Sequence, residues 1–305
     1  MRDPFHAGER LAQAYAGVHA PGAAIRDFMP DQHRLFFAQL PILFAGVADP
    51  SGWPVATALT GAPGFVSSPD ERTLRVAALP APTDPAATGF QPGAGIGLLG
   101  LDFATRRRNR ANGMMAAVEG GGFTVAVEQS FGNCPQYIQT RRPEPAGVAP
   151  DTLEPLARLD GEARRAIGRA DTFFVATSSG PSAAEPGGMD ISHRGGRPGF
   201  VRVDGDVLTV PEFRGNRYFN TLGNLLLDDR AGLLFADFAT GDLLHLQGRA
   251  EILWRSGPAF AGVERLWRVR VTSGWRRRAA LPLRWSFDAL SPQTERTGVW
   301  ERAVA

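Results

Sequence analysis

The chain has 305 residues, 43% of them hydrophobic and 21% charged, a globular composition with room for two domains of ordinary size. It contains no lysine, so its 33 Lys+Arg residues are all arginines; Schiff-base and lysine general-base chemistry are excluded, and bidentate recognition of carboxylate and phosphate is favoured. The net charge is only +2, so a calculated pI of 9.2 carries no nucleic-acid signal.

One cysteine, Cys134, allows no internal disulfide. The apolar runs at Leu98 to Leu101 and Leu225 to Leu227 fall far short of the ~20 residues of a membrane span. The opening Met1-Arg-Asp-Pro-Phe-His lacks the apolar core of a secretory signal, and a cytoplasmic protein without membrane or nucleic-acid partners is expected.

In chain order, helices are predicted from Glu9 to Ala16 and from Asp31 to Leu40, the second capped by Asp31. Strands follow at Ile42 to Ala48 and Val55 to Leu59 around the turn Asp49-Pro-Ser-Gly, then at Thr73 to Ala77 after the turn Ser68-Pro-Asp-Glu. Pro80 to Gly95 reads as a loop, and Gly97 to Phe103 and Phe123 to Val127 as strands. Arg141 to Pro150 is a proline-rich connector, which places a boundary between residues 1–145 and 146–305. Beyond it the pattern predicts a helix from Leu153 to Ile167 introduced by Asp151-Thr152, a strand from Thr172 to Thr177, and a loop from Ser178 to Gly188. Near the end come a hairpin of Gly232 to Phe238 with Leu243 to Trp254, a helix from Ala259 to Leu266, and a last strand from Trp267 to Thr272.

The most informative stretch is residues 190–227. Phe200, Val201 and Val203 lead through the tight-turn pair Asp204-Gly205 to Val207, Leu208 and Val210, with Pro211 expected to end the strand. Arg214-Gly-Asn-Arg then precedes a helix whose Phe219, Leu222 and Leu226 share one face. Free backbone N–H groups with guanidinium groups beside them form a phosphate site on physical grounds.

An internal repeat sets the architecture. Gly61-Ala-Pro-Gly-Phe-Val recurs as Gly196-Arg-Pro-Gly-Phe-Val, and Gly97-Leu-Leu-Gly-Leu-Asp-Phe-Ala-Thr as Gly232-Leu-Leu-Phe-Ala-Asp-Phe-Ala-Thr, both at a spacing of 135 (196 minus 61; 232 minus 97). Where the second copy has Arg214-Gly-Asn-Arg, the first has Leu79-Pro-Ala-Pro. A single anion site per chain is expected, in the second half.

The residues Asp190-Ile-Ser-His-Arg-Gly, Gly199-Phe-Val and Arg214-Gly-Asn-Arg with Asn220-Thr-Leu resemble the flavin-binding core of the pyridoxamine 5'-phosphate oxidase-like split barrels. The resemblance implies a mainly β chain with peripheral helices, an α+β protein in which two tandem FMN-binding split β-barrels form an intrachain pseudo-dimer. It implies FMN contacts from Ser192, His193, Arg194, Gly195, Pro198, Gly199, Phe200 and Val201, and from Pro211, Phe213, Arg214, Gly215, Asn216, Arg217, Asn220 and Thr221. It also implies a wall from Asn133, Cys134, Pro135 and Gln136, because the segment closing the first half resembles the family's terminal segment that reaches across to the partner's flavin. The activity implied is transfer of hydride or electrons between a reduced donor, NAD(P)H or a reductase, and a small-molecule substrate. No catalytic residue is singled out, and a homodimer of such chains is admitted. A flavin-carrying electron-transfer module and a non-catalytic flavin or haem binder remain open.

Other motifs read more plainly. Gly95-Ile-Gly-Leu-Leu-Gly fits a dinucleotide fingerprint but follows a proline-rich loop and enters no helix, so it is a decoy. Arg106-Arg-Arg-Asn-Arg falls at a hairpin tip by the repeat and reads as a solvated or ion-paired turn in preference to a site for a substrate anion. Cys134 lacks a histidine partner in sequence, and the five histidines show no metal-ligand spacing. Trp275 and Trp285 fit barrel packing or a lid over a ring system equally well.

Overall fold

The computed structural model describes residues 3–147, 152–180, 188–257 and 259–301. Its first half places α1 (Ala7–Tyr15) and α2 (Asp31–Ala38) ahead of β1 (Ile42–Ala48), β2 (Pro54–Thr60), β3 (Val66–Asp70), β4 (Thr73–Val76), β5 (Gly95–Asp102), β6 (Arg107–Glu119) and β7 (Gly122–Asn133). The second half repeats the plan with α3 (Gly161–Arg169), β10 (Thr172–Ser178), β11 (Met189–Gly195), β12 (Arg202–Asp204), β13 (Val207–Phe213), α4 (Asn220–Leu227), β14 (Arg230–Ala236), β15 (Leu243–Leu253) and β16 (Val263–Arg278). The strand orders β2-β1-β5-β6-β7-β4-β3 and β11-β10-β14-β15-β16-β13-β12 match position for position, and every described ladder is antiparallel. Each sheet encloses its own hydrophobic core, and no described ladder joins the two edge strands of either path, which leaves the barrel split. The tandem split-barrel expectation agrees with this order.

Side-chain alternation along β1 and β10 explains how two barrels become one body. Leu43, Ala45 and Val47 enter the core of the first barrel, and Phe173 and Val175 that of the second. The alternate residues Ile42, Phe44, Phe174 and Ala176 meet Leu99, Ile191 and Leu234 in a third core between the barrels. Strands buried on both faces show continuous apolar sequence, as these do. Small residues let the backbones meet: a Cβ on Gly97 would lie 2.7 Å from Asp190 Cα, and one on Gly232 would lie 2.3 Å from Pro54 O. The repeat equivalent of the first contact is that from Gly232 to Val55 Cα, at 2.9 Å.

The helices are capped locally. His6 Nδ1 accepts from Gly8 N at 3.1 Å while Glu9 Oε2 accepts from His6 N at 3.0 Å, a capping box that starts α1. α1 then lies against α4, where a Cβ on Gly8 would sit 2.2 Å from Gly223 O.

Five sequence expectations are corrected. Leu153 to Ile167 is not one helix: β9 (Thr152–Leu156) pairs with β16, and α3 begins only after Asp160, whose carboxylate accepts from Ala163 N at 2.7 Å. Ala259 to Leu266 is not a helix, because the chain from Val263 onward is clamped between β13 and β15 as part of β16. That strand also runs past Thr272 to Arg278, and it is not the last. Pro211 does not end its strand; β13 continues to Phe213 with Pro211 opposite Leu266. Thr140–Pro145 within the expected connector forms β8, which pairs with β17 (Leu283–Ala289), followed by α5 (Pro292–Glu295); Asp151, the expected cap, lies outside the described residues.

Candidate functional site

A cleft between the barrels draws its lining from β11, β13, the 215–221 segment, β6 and the 133–137 segment. The expected residues Ser192, His193, Arg194, Gly195 and Phe200 meet there with Pro211, Phe213, Gly215, Asn216 and Arg217. Asn220 and Thr221 join them from α4, and Asn133, Cys134 and Gln136 from the first barrel. Pro198, Gly199, Val201, Arg214 and Pro135 do not line it. Gly199, at φ +89°, shapes the turn after β11, Val201 is packed in the second barrel's core, and Arg214 is exposed outside the cleft.

The sequence reading missed Arg108, Arg110, Tyr137, Glu212, Phe219, Glu264 and Arg265. The arginine run is therefore not a solvated tip. Arg106 alone turns the corner, at φ +57°, and donates to the carbonyls of Ile138 and Leu290. Arg108 and Arg110, two apart on β6, point to the same face and cross to the second barrel, as strand alternation dictates.

Arg110 is buried in a network that ties both halves together. Its Nη1 donates to Asp190 Oδ1 and Oδ2 at 2.9 and 2.8 Å and to Asn220 Oδ1 at 3.0 Å, and its Nη2 donates to Ser192 Oγ at 2.6 Å. Thr221 Oγ1 donates to Ser192 Oγ at 2.8 Å, and Asn220 Nδ2 donates to Glu9 Oε1 of α1. Burial, with the Asp190 charge adding to it, pushes the Glu9 carboxyl up to about 8 against the opposing backbone bond from His6.

Arg108 Nη1 lies 3.0 Å from His193 Nδ1. A guanidinium can only donate, so Nδ1 is the acceptor and the imidazole proton sits on Nε2. Burial first, then the charges of Arg108 and Arg194, holds the His193 pKa well below its ordinary value, which keeps the ring neutral. Burial likewise lowers the Arg108 guanidinium to about 10.

The 214–219 loop is wound tightly. Arg217 and Phe219 take φ of +63° and +61°, conformations that cost a side-chain-bearing residue about 1 to 2 kcal/mol each. Asn216 Oδ1 accepts from Tyr218 N at 3.1 Å, and its Nδ2 donates to Asn133 Oδ1 across the barrels at the same distance. Phe219 gives α4 no side-chain cap, so the first-turn N–H groups face the loop without that competitor. Tyr137 stacks on Phe213 with centroids 5.1 Å apart, and a Cβ on Gly195 would strike Tyr137 O at 2.0 Å.

Several buried polar atoms of the cleft have no hydrogen-bond partner among the described residues: Arg108 Nε, Arg110 Nε, Arg194 Nε, Asn133 Nδ2 and His193 Nε2. These five are donors, set against one acceptor of the lining without a hydrogen bond, Glu212 Oε2, and buried donors are normally satisfied. A ligand rich in acceptors fits this donor set.

The repeat-related position on the other side of the interface is filled. Thr57 stands where the second copy has Ser192, and Leu243 and His245 stand where the first has Arg108 and Arg110. Arg277 faces Leu243 across its ladder as Asn133 faces Arg108. Asp84, from the 80–95 loop, pairs with Arg277 and accepts from Thr57 Oγ1 at 2.5 Å, all three buried. A protein carboxylate plugs this second position.

No protein-family model matches the chain, and no curated protein matches its sequence. Solved structures similar to part of it include a HupZ variant from Group A Streptococcus (16% identity, 38% of this chain and 98% of that one, TM-score 0.28). A candidate pyridoxamine 5'-phosphate oxidase from Lactobacillus delbrueckii matches at 16% identity over 35% of this chain and 95% of its own, with TM-score 0.27. A FAD-binding protein from Mesorhizobium loti matches at 9% over 41% and 97%, also with TM-score 0.27. The fold assignment rests on the strand order and registers of this chain. Among the described residues no helix is long and apolar enough to cross a membrane, and no cluster of metal-ligating side chains occurs.

Proposed function

We propose that the cleft binds FMN and that the chain is a flavin-dependent oxidoreductase, moving hydride or electrons between a reduced donor and a small substrate. The observation that carries this reading is the set of buried, unpartnered donors contributed by both barrels to one cleft. Arg217, Gly215, Asn216 and the start of α4 would hold the phosphate, and the Ser192–Gly195 strand would meet the polar edge of the ring. Asn133, Cys134 and Gln136 would complete the site from the first barrel. The flavin, when bound, supplies the hydride chemistry, and the chain supplies placement, exclusion of water and positive potential.

The test is FMN titration of apoprotein followed by flavin absorbance and fluorescence, then steady-state NAD(P)H oxidation by the holoprotein. Saturable one-to-one binding with turnover supports the oxidoreductase, whereas turnover only with an added reductase makes it an electron carrier. Absence of FMN binding at micromolar protein, or a Soret band after haem addition with no flavin uptake, removes the reading.

A further inference from the structure

We propose that Arg108, together with the Nε2–H of His193, binds the carboxylate of an anionic small-molecule substrate on the first-barrel side of the cleft; this deepens the flavin reading and rests on it. The argument is a charge balance. Arg110 is matched by Asp190, Arg194 by Glu212 at 2.9 Å, and Arg265 by Glu264 at 3.4 Å. Arg217 belongs to the phosphate loop. Arg108 is left with a neutral imidazole on Nη1 and the Cys134 sulfur 3.9 Å from Nη2, and with no carboxylate among the described residues. Arg108 is half-buried with its Nε fully enclosed, and a partly desolvated guanidinium without a counter-ion is disfavoured, so the site calls for one negative charge from outside the protein.

The number and kind of the remaining donors fit a carboxylate. Arg108 Nε and His193 Nε2 are both buried and unpartnered, and His193 is only 5% exposed. A planar monoanion accepts from a guanidinium edge and balances its single charge. The plugged counterpart position agrees: it carries Leu243 in place of Arg108, and its anion is the built-in Asp84 carboxylate. The arginine belongs to the open cleft alone.

Cys134 provides a readout that does not depend on turnover, since this partly exposed residue has its sulfur 3.9 Å from Arg108 Nη2. Alkylation by iodoacetamide, a neutral reagent, is followed in FMN-loaded protein with benzoate as the probe anion. Benzoate is expected to slow alkylation severalfold and saturably. In Arg108→Gln, which retains an N–H donor for His193 Nδ1 but no charge, that protection should vanish, while FMN affinity falls far less than in Arg217→Ala. Arg108→Lys, which keeps the charge, should recover part of the protection and guards against a folding defect in the glutamine variant. The proposal is overturned by unprotected wild-type Cys134, by protection that survives in Arg108→Gln, or by loss of FMN from Arg108→Gln as deep as from Arg217→Ala, which would give Arg108 to the flavin. If wild-type protein takes up no FMN yet benzoate protects apoprotein through Arg108, the anion subsite stands and the flavin reading falls.

Discussion

Phe44 and Phe174 stack with ring centroids 3.6 Å apart and planes 17° from parallel, one from β1 and the other from β10, at equivalent ladder positions opposite Leu99 and Leu234. Phe103 and Phe238, another repeat-related pair, meet edge to face at 5.2 Å. The pseudo-two-fold axis thus runs through aromatic contacts, and the interface is a hydrophobic core of its own. Phe174→Ala is expected to cost about 3 to 5 kcal/mol, the range for truncating a fully buried phenylalanine. Denaturant unfolding monitored by tryptophan fluorescence measures it. A cost below about 1 kcal/mol, the scale of an exposed site, would mean that the stack does not hold the barrels together.

The strand pattern and the repeat were legible because each barrel's inner strands carry long apolar runs and because matching glycines stand where backbones touch. What failed was long-range. Thr152–Leu156 has no strand signature strong enough to break a helical reading, and it is a strand because β16 pairs with it. Val263 onward is held as a strand by neighbours on both sides. In the cleft, the loop and β11 could be read from local chemistry, whereas Arg108 and Arg110 required knowing that β6 crosses to the other barrel. Their two-residue spacing was the available signal.

The loop arginines are expected to separate. Arg217 lines the cleft and Arg214 does not. Arg217→Ala should lower FMN affinity about ten- to hundredfold, as for loss of a charged hydrogen bond of roughly 1.5 to 3 kcal/mol, while Arg214→Ala should change it about threefold or less, the range of an exposed charge. Titration of both apoproteins decides. Equal losses would place Arg214 over the phosphate after all.

Glu9 makes stability depend on pH with a definite sign. Its carboxyl titrates at about 8 in the folded chain against 4.5 as an unperturbed group. The native state therefore retains a proton that the unfolded chain releases, so this contribution is complete below pH 4.5 and is lost as pH rises to 8. Glu9→Gln should flatten the change in unfolding free energy between pH 5 and pH 8, by on the order of a few kcal/mol. An unchanged pH slope in the variant would show that Glu9 is ionised in the fold.

Asp84→Asn tests the plug. It removes the carboxylate that faces buried Arg277 and Thr57, and breaking a buried pair of this kind costs about 3 to 5 kcal/mol. The expected result is a large drop in unfolding free energy with one FMN still bound per chain. A second equivalent of FMN in the titration would mean that the carboxylate alone had kept a second site closed.

The contribution of the first barrel to the cofactor site can be tested in the intact chain at Gly195. This residue lines the cleft from β11, and a Cβ built on it would lie 2.0 Å from the carbonyl oxygen of Tyr137. Backbone cannot yield as a flexible side chain does, so Gly195→Ala must push the 133–137 segment away from β11 and unseat Tyr137 from Phe213. Asn133, Cys134 and Gln136 would move with it and Asn216 would lose its bond to Asn133, while Asn220 and Thr221 at the start of α4 keep their bonds to Arg110, Glu9 and Ser192. FMN affinity is expected to fall by about tenfold or more, equivalent to at least ~1.4 kcal/mol, with the phosphate contacts intact and the far-ultraviolet circular dichroism of the sheets unchanged. Wild-type affinity in a folded Gly195→Ala protein would mean that the second barrel holds the flavin without help, and the first barrel's wall would then serve the interface alone.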